Sequence, residues 1–159
     1  MHAMPILSAV FGSLIALISI HPSFAAPDTK PQPPATAAPD KATEFPLRPQ
    51  YIDVPIIETA EFNKKFSEVL VIDVRSPYEY DTLRIKDALL IPVTDKKFTE
   101  KVRELREKNA DKPLVFYCNG KTCRKSYDAV LKAKASRIAG PLYCYDAGVA
   151  DWARAQPEK

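Results

Sequence analysis

The sequence predicts an α/β domain built on a central parallel sheet with helices on both faces. Short, uninterrupted apolar runs recur along the second half of the chain, as expected of strands buried on both sides. Between them lie segments whose apolar residues fall three or four apart, the stripe of an amphipathic helix. Strands that alternate with helices in this way form parallel sheets, and ligands bind beyond the carboxyl ends of such strands.

The elements follow in order. Residues 52–57 are strand-like. Thr59 is placed to cap a helix reaching about Ser67, with Phe62 and Phe66 one turn apart on its inner face. Val69-Leu70-Val71-Ile72 is a buried strand ending at Asp73, and Ala88-Leu89-Leu90-Ile91 repeats that signature before Pro92. Residues 96–108 read as a helix with Phe98, Val102 and Leu105 inward. Leu114-Val115-Phe116-Tyr117 is a third strand. A helix over 125–135 turns Tyr127, Val130 and Leu131 inward. Leu142-Tyr143-Cys144-Tyr145 is a fourth strand, and residues 149–155 form a last helix carrying Trp152 into the core.

Ahead of this domain the chain changes character. Residues 6–20 are apolar and uncharged, and Ser23-Phe24-Ala25-Ala26 offers a small-residue cleavage site, so residues 1–25 read as a secretory signal and the protein as periplasmic or secreted. A membrane contact follows only if that segment stays uncleaved. Residues 26–50 hold seven prolines and almost no aliphatic side chains, the composition of an extended, disordered linker. The domain is then expected over 51–159. Both histidines, His2 and His21, fall in the signal, which leaves the mature chain without imidazole. Cys–His and Ser–His dyads and His-containing zinc sites are thereby excluded; neither metal nor cofactor is expected. The net charge of +3 is spread through interleaved acids and bases, which excludes a nucleic-acid stripe.

The chemistry is expected just after the third strand, in Cys118-Asn119-Gly120-Lys121-Thr122-Cys123-Arg124. A thiol there sits at a strand's carboxyl end and before a helix N-terminus, whose free N–H groups favour an anion. Gly120 permits the backbone to curl its amides into a nest, and Lys121, Arg124 and Lys125 add positive charge. Such surroundings lower a cysteine pKa from about 8.5 into a range of about 3.5 to 7.5, so Cys118 is expected to be the nucleophilic thiolate. Residues 119–124 would bind the substrate. Cys123 is a candidate resolving thiol for a persulfide or sulfenate on Cys118. Cys144, on the neighbouring strand, is the other potential partner, or else a buried apolar thiol. Asp73, Arg75 and Glu79 read as an ion-pair lattice around the turn started by Pro77, and Asp146 as a turn residue.

These residues resemble the rhodanese family. The stretch Val71-Ile72-Asp73-Val74-Arg75-Ser76-Pro77-Tyr78-Glu79-Tyr80 is similar to its D-V-R-x-x-x-E-[FY] signature. Ile85 with Ala88-Leu89-Leu90-Ile91-Pro92 is similar to H-I-x-G-A-x-x-I-P, Phe116-Tyr117-Cys118 to the active-site strand, and Asp146 to Trp152 to the late G-G-x-x-x-W turn. The resemblance implies a rhodanese-like fold and a sulfurtransferase. Cys118 would accept sulfane sulfur from a small anionic donor as a persulfide, then pass it to a thiol or cyanide-like acceptor. A periplasmic redox protein is a further candidate partner.

The departures define the alternatives. Leu83-Arg84-Ile85-Lys86-Asp87-Ala88 lacks both glycines and the histidine of the family pattern. That loss motivates a non-catalytic sulfur-carrier or redox docking module. Arg124 lies six residues after Cys118, the C-x5-R spacing of Cys-dependent phosphatases, where the arginine clamps phosphate. The spacing Cys118-Asn119-Gly120-x-x-Cys123-x-x-Ser126 also resembles exported rhodanese-like proteins associated with quinoprotein alcohol catabolism.

Overall fold

The computed structural model describes residues 44–155. The signal and most of the linker expected from the sequence lie outside the described residues. Strands β1 (Leu70–Asp73), β2 (Leu89–Leu90), β3 (Leu114–Tyr117) and β4 (Leu142–Tyr145) form one parallel sheet in the order β2-β1-β3-β4. Helices α1 (Thr59–Lys64), α2 (Pro77–Thr82), α3 (Phe98–Lys108), α4 (Lys125–Ala135) and α5 (Gly148–Ala155) cover it.

Successive strand residues point to opposite faces, so the apolar runs feed two cores. Ile72, Phe116, Cys118, Leu142 and Cys144 meet Phe98, Val102, Tyr127, Ala129, Val130 and Ala133 from α3 and α4. Val71, Val115, Tyr117 and Tyr145 meet Phe62 of α1 and Val149 of α5 on the other side. Asp73, Tyr117 and Tyr145 are in register at the carboxyl ends of the three longer strands. The chain therefore leaves at Val74, Cys118 and Asp146 along one edge of the sheet, where the loops meet.

Several elements differ from the sequence reading. Residues 52–57 form no strand of their own; Ile56 makes a single parallel bridge to Cys144, and Pro55 contributes only its carbonyl, to Cys144 N–H. Thr59 does not cap α1. Glu58 holds the capping position, and the Thr59 hydroxyl instead donates to Asp151 of α5 at 3.0 Å. The second apolar run yields only a two-residue edge strand, with Leu89 exposed on its open side. Leu131 faces solvent on α4, and the small Ala129 and Ala133 fill its buried side instead. In α3 the buried stripe continues from Val102 to Arg106. Its guanidinium donates to the carbonyls of Asn109, Ala110, Lys112 and Pro141, tying the end of that helix to the chain entering β3 and β4.

The missing glycine before β2 is accounted for. Asp87 takes φ 59° there, and the turn closes with Ala88 N–H on the Ile85 carbonyl at 3.2 Å. Aspartate tolerates the left-handed region better than most side chains. The turn thus survives without the family's glycine.

The domain begins earlier than residue 51. Phe45 is buried in the core beside α1 and α5, and residues 48–50 form a 3-10 turn. Arg48 donates to both oxygens of the buried Asp146, at 2.7 and 3.0 Å, and to Glu58. Tyr127 also donates to Asp146, at 2.6 Å. Asp146 is thus an anchor for the N-terminal segment as well as a turn residue. The linker composition hid this boundary because one aromatic and one arginine suffice to dock it. A chain begun at Tyr51 should unfold at a clearly lower urea concentration than one begun at Glu44. Arg48→Ala alone should cost about 1–3 kcal/mol, because it removes the charged partner of a buried carboxylate. A midpoint unchanged in both would show that the segment contributes nothing.

Candidate active site

The site is built where β3 gives way to α4. Cys118 follows the last residue of β3 and is fully buried. A turn then folds the loop back on itself, with Cys123 N–H donating to the Gly120 carbonyl at 2.8 Å. Gly120 has φ 156°, a conformation L side chains rarely adopt, as its place in a curled loop predicts. The turn carries Cys123 back over Cys118, whose Sγ lies 3.1 Å from the Cys123 carbonyl oxygen.

The start of α4 lies against the two cysteines: the Cys118 thiol donates to the Cys123 carbonyl, and the buried Ser126 hydroxyl lies 3.2 Å from Cys118 Sγ.

Of the two thiols Cys123 is the more readily ionised: its interaction with Cys118, the backbone of Asn119 and Lys125 and the Lys125 charge bring its pKa down to about 6. Cys118 is pushed well above the ordinary thiol value, first by the bond to its partner sulfur and then by burial. Cys123 is half-buried and accepts donors from three directions, whereas ionised Cys118 would leave charge in the core. Cys144, also buried, is raised by desolvation.

The polar side chains of the loop are held by carboxylates or their partners. Asn119 accepts from Arg75 at 3.0 Å and donates to Glu79 at 2.6 Å. Arg75 is itself held bidentately by the buried Asp73, the lattice the sequence suggested. Ser76 and Glu79 close a capping box that makes the Pro77 turn the start of α2. Lys121 pairs with Glu44 and lies over the Phe45 ring. Lys125 pairs with Glu79. Thr122 is exposed at the rim. Arg124 pairs with Asp128 one turn along its own helix, and its side chain is 71 % exposed. An arginine in that position does not clamp an anion inside the loop, so the C-x5-R spacing does not produce a phosphatase cradle here.

Two participants escaped the sequence reading. Ser126 was noticed only as part of a spacing pattern; its position on the first turn of α4 was the signal that its hydroxyl could reach the strand end. Gly148, at φ 68°, starts α5 against the loop. A Cβ there would lie 2.5 Å from Gly120 N and 2.6 Å from the Cys118 carbonyl oxygen.

Comparison with known proteins agrees with this architecture. The rhodanese-like domain matches residues 58–155. Human single-domain sulfurtransferase TSTD1 superimposes with a TM-score of 0.54 at 19 % identity, covering 65 % of this chain and 99 % of that one. Protein hp1203 from Helicobacter pylori 26695 gives 0.51 at 26 % identity, covering 67 % and 84 %. A thiosulfate sulfurtransferase from Pseudomonas aeruginosa gives 0.54 at 20 % identity, covering 74 % and 22 %. Among curated proteins, the tRNA uridine(34) hydroxylase of Cytophaga hutchinsonii is 37 % identical over 73 residues, which are 44 % of this chain and 23 % of that protein. The chain thus spans less than a quarter of that relative.

Two measurements test the electrostatics. Iodoacetamide should label Cys123 first, with a rate that rises around pH 6, and Cys118→Ala should move that midpoint up toward the ordinary value of about 8.5. Labelling of Cys118 first would contradict the charge assignment. Glu79 is held at about 2, chiefly by Ser76 N–H and then by Asn119. Its folded value lies below its unfolded one, so it stabilises the fold above the ordinary carboxylate range and loses that effect as pH falls through about 2. The stability difference between wild type and Glu79→Gln should therefore shrink on acidification, as read by urea midpoints at stepped pH.

Proposed function

The chain belongs to the rhodanese-like domain family, and from that membership we propose that it is an exported sulfurtransferase moving sulfane sulfur through a persulfide on Cys118. The observation that carries this reading is the strand-end thiol itself: Cys118 is buried at the carboxyl end of β3, its Sγ 3.1 Å from the Cys123 carbonyl and 3.2 Å from the Ser126 hydroxyl at the start of α4. Cys118 attacks the sulfane sulfur of a donor such as thiosulfate. Its proton passes to the Cys123 thiolate, the new S–S bond forms on Cys118, and sulfite leaves with the electron pair of the broken bond. Ser126, through its N–H and hydroxyl, steadies charge on Cys118 during attack. A thiol or cyanide-like acceptor then takes the outer sulfur and regenerates the Cys118 thiolate.

Two alternatives have less behind them. Arg124, on which the phosphatase reading rests, pairs with Asp128. Asp87 completes one of the turns whose lost glycines, together with the unusual loop, motivate the docking module. Export rests on the composition of residues 1–25 and the linker that follows. A periplasmic thiol protein is the partner that location suggests.

The reduced protein should be offered thiosulfate, mercaptopyruvate or inorganic polysulfide in turn, quenched early and weighed intact. Cys123→Ser, offered the donors at alkaline pH where Cys118 can ionise without its proton acceptor, should gain one sulfur atom from at least one of them, and Cys118→Ser none. Fractionation of cells should place the protein outside the cytoplasm with residues 1–25 absent. A Cys118→Ser chain that loads as well as Cys123→Ser would overturn the role given to Cys118.

A further inference from the structure

Cys123 does more than accept a proton. We propose that it resolves the Cys118 persulfide, releasing hydrosulfide and closing a Cys118–Cys123 disulfide that a dithiol must reopen. This rests on the sulfur-transfer reading above and assigns the loaded site a reductive exit, taken when no external acceptor removes the sulfur, together with its reductant class.

Geometry makes Cys123 the resolving sulfur. The turn from Gly120 to Cys123 brings Cys123 back over Cys118, whose Sγ lies 3.1 Å from the Cys123 carbonyl oxygen, and both cysteines pack in the same apolar cluster. Cys144 is the competing thiol, and the Ser126 side chain bonds both it and Cys118. It is fully buried on β4, paired in register with Phe116 and without the amide donors that favour an anion on Cys123. The depressed pKa of Cys123 agrees, because the thiolate is the attacking form.

The step balances. Cys123 attacks Cys118 Sγ, the inner sulfur of the persulfide; the Sγ–Sγ bond forms as the bond to the outer sulfur breaks. The outer sulfur leaves with the electron pair and takes the remaining proton, departing as hydrosulfide. It is reduced by two electrons, and the two cysteines are together oxidised by two. An external dithiol then reduces the loop disulfide by two exchanges and is itself converted to a disulfide.

The reductant's class follows from the loop charges. Lys121, Arg124 and Lys125 are each paired with a carboxylate, Glu44, Asp128 and Glu79 respectively. A site whose cations are already neutralised holds little attraction for a strongly anionic acceptor such as sulfite. An uncharged dithiol meets no such requirement, and its second thiol displaces the mixed disulfide without a further partner.

The test uses the full-length reduced chain, freed of reductant, with whichever of the three donors loads Cys123→Ser. Wild type given one equivalent should release one hydrosulfide per chain and become two hydrogens lighter, with peptide mapping joining Cys118 to Cys123. Cys123→Ser and Cys123→Ala should keep the added sulfur and release no hydrosulfide; their urea midpoints, compared with wild type, confirm folding. Cys144→Ser should behave as wild type. Dithiothreitol should restore repeated turnover at concentrations where a monothiol does not. Wild type that retains its persulfide without a disulfide, or a disulfide mapped to Cys144, would overturn the inference and leave sulfur transfer standing. If wild type neither gains sulfur nor releases hydrosulfide with any donor, and no Cys123 variant loads even at alkaline pH, the sulfur-transfer reading itself fails, and this inference with it.

Discussion

The Cys118 carbonyl accepts the Val149 N–H at 3.0 Å, and the Asn119 carbonyl accepts that of Ala150 at 3.3 Å. With these two bonds the start of α5 holds down the beginning of the active loop. The contact is possible only because Gly148 has no side chain, since a Cβ would fall inside the loop backbone. The strand fixes where Cys118 begins, and α5 fixes which way the chain leaves it. The loop must then reverse at Gly120 to reach α4, and that reversal is what returns Cys123 to Cys118. The meeting of two sulfurs is therefore a consequence of backbone packing rather than of attraction between thiols.

The same edge of the sheet is braced from two other directions. Asp73 fixes Arg75, which fixes Asn119 in the loop. Asp146, one residue after β4, fixes Arg48 and Tyr127 and so connects the N-terminal segment to α4. Both carboxylates are buried and both hold an arginine. A buried carboxylate is costly unless fully bonded, and each here receives at least three donors. The charge is placed where the three longer strands end in register, which is also where the loop needs a rigid floor. Stability and positioning of the site thus draw on the same bonds.

Much of this was readable from residue order, and the failures have physical causes. Four apolar runs gave four strands, because burial on both faces leaves a signature that polar neighbours do not blur. Edge position left no comparable signature, so Leu89 and Leu90 read like a central strand although one side is open. Asp87 shows the reverse case: its turn looked broken because the pattern asked for glycine, while the backbone asks only for a residue tolerant of positive φ. The position of Cys118 at the strand end was legible. The partition of charge between Cys118 and Cys123 was not, because it depends on which sulfur stays half-buried after the loop turns back. Nor could spacing alone tell that Arg124 would face Asp128, since an i, i+4 ion pair competes with the loop for the same guanidinium.

Neutralised cations and a filled nest together constrain what the site can exchange. A loop built to hold a tetrahedral dianion needs amides free to donate and an arginine aimed inward. Here the start of α4 lies against two cysteines, and the arginine and both lysines hold carboxylates. Any anionic donor must therefore compete with the Cys123 thiolate for the same amides, and it enters most readily when that thiolate takes up a proton. Proton transfer from Cys118 to Cys123 does both things at once: it clears charge from the nest and creates the nucleophile. Once the sulfane sulfur is bound to Cys118 in the proposed transfer, the arrangement reverses: Cys123 attacks Cys118 Sγ and the outer sulfur leaves as hydrosulfide. One shared proton can thus set the order of the two half-reactions.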